Sequence, residues 1–303
     1  MKTIQKSALA LAASSLLATT AFAQTAPAAE ASPIAANVTV TSSYAYRGLT
    51  QSNYRPAIQG GFDYAHESGF YIGNWNSSIS WISDGYQNAT NQQRVVSAPV
   101  EMDFYAGYKK ELIGEGFATD LGVLQYYYPT TALPNISATN TTVGANPTTR
   151  QASGVSPQTT EIYAAQNFTF GPVTGFAKVS YALTNLFGIY NSKGAYYPDL
   201  TANYDTGMYG ITLNGHVGYQ YVPNSYSVTT ANATANGIGA GTYNLSYFDW
   251  KLGLTKDFGG GLSATAYYVG TNISKVGNTY TYTTSNGGSA GKGTGIVALT
   301  KTF

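Results

Sequence analysis

The stretch Val100-Glu101-Met102-Asp103-Phe104-Tyr105-Ala106-Gly107-Tyr108-Lys109 decides the fold class. Successive side chains of an extended strand point to opposite faces. Val100, Met102, Phe104, Ala106 and Tyr108 therefore share one face, and Glu101, Asp103, Tyr105, Gly107 and Lys109 share the other. The same period-2 rhythm recurs along the chain, and helical spacing is absent. It predicts strands over 37–48, 57–65, 70–82, 99–111, 117–128, 160–170, 173–184, 198–206, 209–222, 245–257, 262–272 and 293–303. The connectors 66–69, 112–116, 171–172, the Gly207 turn and 258–261 are short. Those at 49–56, 83–98, 129–159, 185–197, 223–244 and 273–292 are long and rich in Asn, Thr, Ser and Gly. Short turns at one rim, long loops at the other and an even strand count are the pattern of a transmembrane barrel. The expected fold is all-β: one antiparallel up-and-down barrel of about 12 strands over 37–303.

Composition points the same way. Charged residues make up 10% of the chain, against about 25% in soluble domains. Tyr occurs 27 times and Cys not at all, so no disulfide framework is expected. Only helices and closed barrels satisfy their backbone groups in lipid. Past the N-terminus no apolar run is long enough for a spanning helix. Basic and acidic residues nearly balance and form no basic block, which argues against nucleic acid as a partner. Lys2 and Lys6, the apolar run Ser7–Thr19 and Ala21-Phe22-Ala23 read as a Sec signal peptide over 1–23. A disordered periplasmic leader over 24–36 would follow.

Aromatics near strand ends read as interfacial girdles. They are Tyr44, Tyr46, Trp75, Trp81, Tyr108, Phe168, Phe170, Tyr219, Tyr221, Phe248 and Trp250. The expected surroundings are outer-membrane lipid and lipopolysaccharide. In the last strand Val297, Leu299 and Phe303 alternate outward, with Lys301 on the same face. A terminal Phe on such a strand resembles the signal read by the barrel-assembly machinery.

Two further stretches carry a family resemblance: Tyr44-Ala45-Tyr46-Arg47-Gly48-Leu49-Thr50-Gln51-Ser52, and PAIQGGFDYAHESGFYIGNW over Pro56–Trp75. Together they resemble the TorF-type porins of proteobacteria, most strongly over residues 36–82. The resemblance implies an outer-membrane location and pore function and supplies no catalytic residue.

A pore is built from inward side chains. Alternation assigns to the lumen Arg47, Asp63, Asn74, Asn76, Glu101, Asp103, Lys109, Asp120, Glu161, Lys178, Asp205, Asn214, His216, Asp249 and Lys251. Over Ala118–Tyr128 two registers fit, and Asp120 favours the one that faces it inward. Seven of the inward residues are acidic and four basic, which predicts a weak cation preference for small polar solutes or ions. An Arg47–Asp63 ion pair is conceivable. A lumen packed shut by paired charges is the competing expectation, since small barrels are filled by side chains. That would suit a receptor, adhesin or structural envelope protein. His66 reads as a turn residue. His216, with Asn214 on its face, has no nucleophile motif, so no catalytic residue, metal or cofactor is expected. An outward row of Gly73 and Ser77 beside Trp75 leaves oligomer formation open.

Overall fold

The computed structural model describes residues 32–88, 96–130, 143–145, 155–223, 225–228 and 239–303. The expected signal peptide and most of the leader, with much of 129–159 and 223–244, lie outside them.

Twelve strands close a barrel: β1 Ile34–Thr41, β2 Ala57–Ala65, β3 Phe70–Ser78, β4 Val100–Gly114, β5 Phe117–Tyr127 and β6 Thr159–Phe170, then β7 Val173–Ala182, β8 Tyr196–Asp205, β9 Ile211–Gln220, β10 Tyr247–Gly259, β11 Leu262–Thr271 and β12 Thr294–Thr302. Neighbours pair antiparallel in chain order, and β1 closes the ring on β12, with Val40 opposite Leu299. Closure leaves no edge, so the ladder satisfies the backbone of every barrel strand. The expected strand count and antiparallel up-and-down order match this ring.

The outer surface is apolar. Val40, Ile58, Ile72, Leu121, Val217, Leu252, Val297 and Leu299 are all exposed, as a lipid-facing band requires. Ring pairs mark its borders: Phe70 with Tyr108, Phe117 with Phe170, Tyr196 with Tyr221 and Tyr219 with Phe248. Phe303 is exposed, and the Lys301 ammonium lies 5.5 Å from its ring centroid. His66 Nδ1 lies 2.7 Å from Ser68 Oγ in the β2–β3 turn, which fits the turn reading.

Three expectations are overturned. The first strand ends at Thr41, not at Gly48; residues 42–56 leave the wall. On β3 the face is inverted. Tyr71, Gly73, Trp75 and Ser77 point inward, and Asn74 and Asn76 share the outward face of the exposed Phe70 and Ile72. Tyr44, Tyr46, Trp75 and Trp81 form no girdle: Tyr44, Trp75 and Trp81 are core residues, and Tyr46 packs against that core. The polar-in rule fails here because this lumen is packed with large rings, so aromatic residues lie on its inward faces.

The interior is lopsided. On β3–β6 the lumen is filled by Tyr71, Trp75, Tyr105, Tyr126 and Tyr163. Glycines make room for three of these rings on the strand opposite: Gly107 faces Tyr71, Gly73 faces Tyr105 and Gly122 faces Tyr163. A Cβ at any of the three would overlap the phenol. On β8–β11 small or medium polar groups share the lumen with fewer rings: Asn203, Thr212, Asn214, Thr255, Ser263 and Thr265 point inward beside Tyr197, Tyr247 and Tyr267.

Candidate functional site

Between β1 and β2 the chain folds into the barrel. Ala45–Tyr46 pairs with Leu49–Thr50 to form a two-residue hairpin with Arg47 and Gly48 at its tip. Both have positive φ, 46° and 75°, the conformation that tight hairpins require. At Gly48 a side chain would overlap Thr271 and the Cβ of Asp249 on the wall. Arg47 holds the same region of φ although it carries a long side chain, so its backbone is strained. Compensation comes from its guanidinium. Nη1 donates to Glu161 Oε1 at 3.0 Å and Gln220 Oε1 at 2.7 Å, and Nη2 donates to Glu161 Oε2 at 2.7 Å. The guanidinium also lies 4.2 Å from the ring centroid of Tyr197 and 4.9 Å from that of Tyr46. A bidentate, desolvated pair of this kind fixes geometry strongly.

The flanks of the hairpin are tied to the aromatic wall. Tyr44 Oη donates to Glu101 Oε1 at 2.5 Å, and Tyr128 Oη donates to the other carboxylate oxygen at 2.6 Å. The hydroxyls of Tyr46 and Tyr126 meet at 2.5 Å. Above the tip, two apolar clusters pack the outer mouth. One includes Trp81, Ile82 and Tyr128; the other includes Leu49, Leu186, Tyr247 and Tyr282.

Two cavities lie on either side of the tip. The outer encloses about 30 Å³ of water-sized space beside Gln51, Tyr128, Phe187 and Tyr282. The inner encloses about 100 Å³ and lies against the small-residue wall, lined by Asn203, Asn214, His216, Asp249, Lys251 and Tyr267 among others. Tyr46 and Arg47 line both.

The inner cavity is bordered by a charge ladder. His216 Nδ1 lies 3.0 Å from Asp199 Oδ1, and Nε2 lies 3.0 Å from Asp249 Oδ2. Tyr197 Oη donates to Asp249 Oδ1 at 2.8 Å. Carboxylates thus occupy both ring nitrogens. Lys178 lies opposite Asp199 in register and Lys251 opposite His216. The Lys178 and Lys251 ammoniums lie 4.5 Å and 5.4 Å from the ring centroids of Tyr163 and Tyr267.

On the aromatic wall the acids meet phenols instead. Asp63 accepts from Tyr105 and Asp120 from Tyr71, each at 2.6 Å. Asp103 is fully buried, and its carboxylate oxygens have no hydrogen bond among the described residues. Lys109 Nζ donates to Asn167 at 3.3 Å.

Most of the residues assigned to the lumen face it, with four differences. Arg47 comes from the hairpin rather than the wall and pairs with Glu161, not Asp63. Asp205 sits at a strand end, where its carboxylate accepts from the Gly207 amide at 2.9 Å and caps the turn. Asn74 and Asn76 face outward. Sequence reading missed Asp199 and Gln220. Asp199 was readable from its parity with Asn203 on the same strand, and Gln220 from its parity with Asn214 and His216.

Among solved structures the chain is similar to the KdgM porin, with 7% identity, a TM-score of 0.47, and coverage of 89% of this chain and 98% of that one. It is also similar to a FadL homologue of Pseudomonas aeruginosa (11%, TM-score 0.41, 89% and 90% coverage) and to OprD of Pseudomonas aeruginosa (10%, TM-score 0.37, 91% and 67% coverage). At this level the likeness is one of barrel architecture alone. No curated protein matches. One family model, described as a bacterial protein of unknown function, matches residues 25–303, and the chain belongs to that Gcw_chp family.

Proposed function

We propose that the barrel is a narrow outer-membrane channel for passive passage of small polar solutes or ions. Its constriction is the Tyr46–Arg47 tip, and it prefers cations weakly. The observation that carries this reading is that two lumen cavities share just Tyr46 and Arg47 as lining. Displacing one latched hairpin tip would join them. The cation preference rests on the aromatic wall, where Asp63, Glu101 and Asp120 are bonded to neutral phenols rather than to bases. Inward acids of that kind favour cations. Of the two stretches that resemble the TorF-type porins, 44–52 contains this hairpin and 56–75 runs through β2 into β3. Export by cleavage near Ala23, insertion by the barrel-assembly machinery through the strand ending in Phe303, and lipid and lipopolysaccharide as surroundings belong to the same proposal.

A second reading is a non-conducting barrel acting as a receptor, adhesin or structural envelope protein. It is favoured by the two apolar clusters that pack the outer mouth. Conductance in a planar bilayer separates the two. The channel reading expects discrete steps with a cation-biased reversal potential in a salt gradient, and larger steps for Arg47→Ala. No steps from either protein, each shown folded by heat-modifiable gel mobility, would give the second reading the lead. Steps with anion bias would keep the pore and overturn the selectivity.

A further inference from the structure

The outward face is not uniform. On β7–β11 the side chains facing lipid between the rims are apolar, as Val179, Leu200, Leu213, Val217, Leu252 and Leu254 illustrate. Amides and hydroxyls appear on three strands of one sector. Asn74 and Asn76 lie on β3, Thr119 and Gln125 on β5, and Thr160 and Gln166 on β6. They share the outward parity of Ile72, Leu121, Val123 and Ile162, all exposed. They also line up across strands. Asn74 is in register with Phe104, Phe104 with Gln125, and Gln125 with Thr160. Asn74 is the central residue of β3, and from there the row runs toward the rim, which it reaches at Thr160, the second residue of β6.

Local bonds use part of this capacity. Asn74 Nδ2 donates to the Asp103 carbonyl at 3.0 Å, and Gln125 Nε2 to the Tyr126 carbonyl at 2.8 Å. Thr160 donates to Gln125 Oε1 at 2.6 Å and Thr119 to Gln166 Oε1 at 2.9 Å. A side-chain amide carries two N–H donors and an acceptor oxygen with two lone pairs. Asn74 and Gln125 each have a donor left over, and hydrocarbon offers it nothing.

We propose that the outward face of β3–β6 is the contact between copies of this chain in the membrane, made through the spare donors of Asn74 and Gln125 and the side-chain oxygen of Asn76, whose own donors go to Gly60 and Asn74. An amide is donor and acceptor at once, so a face of amides complements a second copy of itself. A symmetry axis along the membrane normal sets each residue against its equals at the same depth, as a closed oligomer requires. The wall behind this face is the one packed by Trp75, Tyr105, Tyr126 and Tyr163, which makes it a stiff surface for a partner. Lipid chains offer no such match to Asn74 at the middle of its strand. The inference does not depend on whether the barrel conducts.

The absence of cysteine makes the test clean. Asn74→Cys, Gln125→Cys and, across the barrel, Leu213→Cys are made singly and reconstituted in vesicles of phosphatidylethanolamine and phosphatidylglycerol. Folding is checked by heat-modifiable mobility, and a short bismaleimide is added. Cross-linked dimers at 74 and 125 with none at 213 are expected. No dimer at any position, or equal yield at 213, overturns the proposal. A second arm carries the reporter at Ile162→Cys and combines Asn74→Leu, Asn76→Leu and Gln125→Leu. Dimer yield is expected to fall about tenfold, the effect of one or two lost polar contacts in a membrane. Unchanged yield overturns the role of the amides.

Discussion

The two halves of the lumen solve one problem in different ways. Both must hold acidic side chains inside a barrel. On the aromatic side Asp63, Glu101 and Asp120 are satisfied by tyrosine hydroxyls, and the same rings fill the space around them. On β8–β10 they are satisfied by His216 and Tyr197, and small neighbours leave a cavity. The difference teaches that a ring can serve as volume and as hydrogen-bond donor together, whereas an ion ladder supplies charge without filling. The aromatic half is thus the structural wall. The ladder half is the one along which a solute has room, and the Arg47 hairpin reaches across to that room while anchored on Tyr126 and Glu101 of the other side.

Breaking the structural wall gives the largest expected effect. Trp75 is almost fully buried, and Trp75→Ala should cost about 3–5 kcal/mol. Thr265→Ala on the facing wall removes one hydroxyl and should cost about 0.5–1.5 kcal/mol. Urea unfolding of the two variants in the same detergent checks the contrast. Equal losses would mean that the two walls do not divide the work as described.

Filling a glycine niche sharpens the contrast at smaller scale. Gly122→Val would drive a side chain into the Tyr163 ring, and overpacking of this kind costs about 1–3 kcal/mol. Tyr163→Leu in the same chain should return part of that loss, because the obstructing phenol is gone. Full additivity of the two losses in unfolding measurements would show that ring and niche are uncoupled.

These same residues show what sequence could reveal. Strand count, order and most facings followed from period-2 alternation, because lipid outside and polar groups inside impose opposite demands on neighbouring residues. On β3 that rule pointed Asn74 and Asn76 inward and Trp75 outward. The signal was legible only from Phe70 and Ile72, which share the asparagines' face. The Arg47 latch had no local signature beyond an Arg-Gly pair at a turn. Its partners Glu161 and Gln220 lie 114 and 173 residues away, and no spacing rule links residues that meet only through closure of the barrel.

The smallest structural effect, and the most informative functional one, is expected at Lys251. Its ammonium lies over the Tyr267 ring and lines the inner cavity. Lys251→Gln leaves a polar side chain, one atom shorter, while removing one positive charge, so folding should change by less than about 1 kcal/mol. With Asp199 and Asp249 still present, the local field becomes more negative. The reversal potential in a salt gradient should then move further toward the cation limit. Asp120→Asn on the aromatic wall inverts the pattern. It weakens the bond from Tyr71, costing about 1–3 kcal/mol, yet it sits where rings occupy the lumen and should move selectivity less. If the two variants shift the reversal potential by equal and opposite amounts, ions pass both walls alike. If Asp120→Asn alone shifts it, the path runs along the rings, and the ladder half is a sealed pocket rather than a conduit.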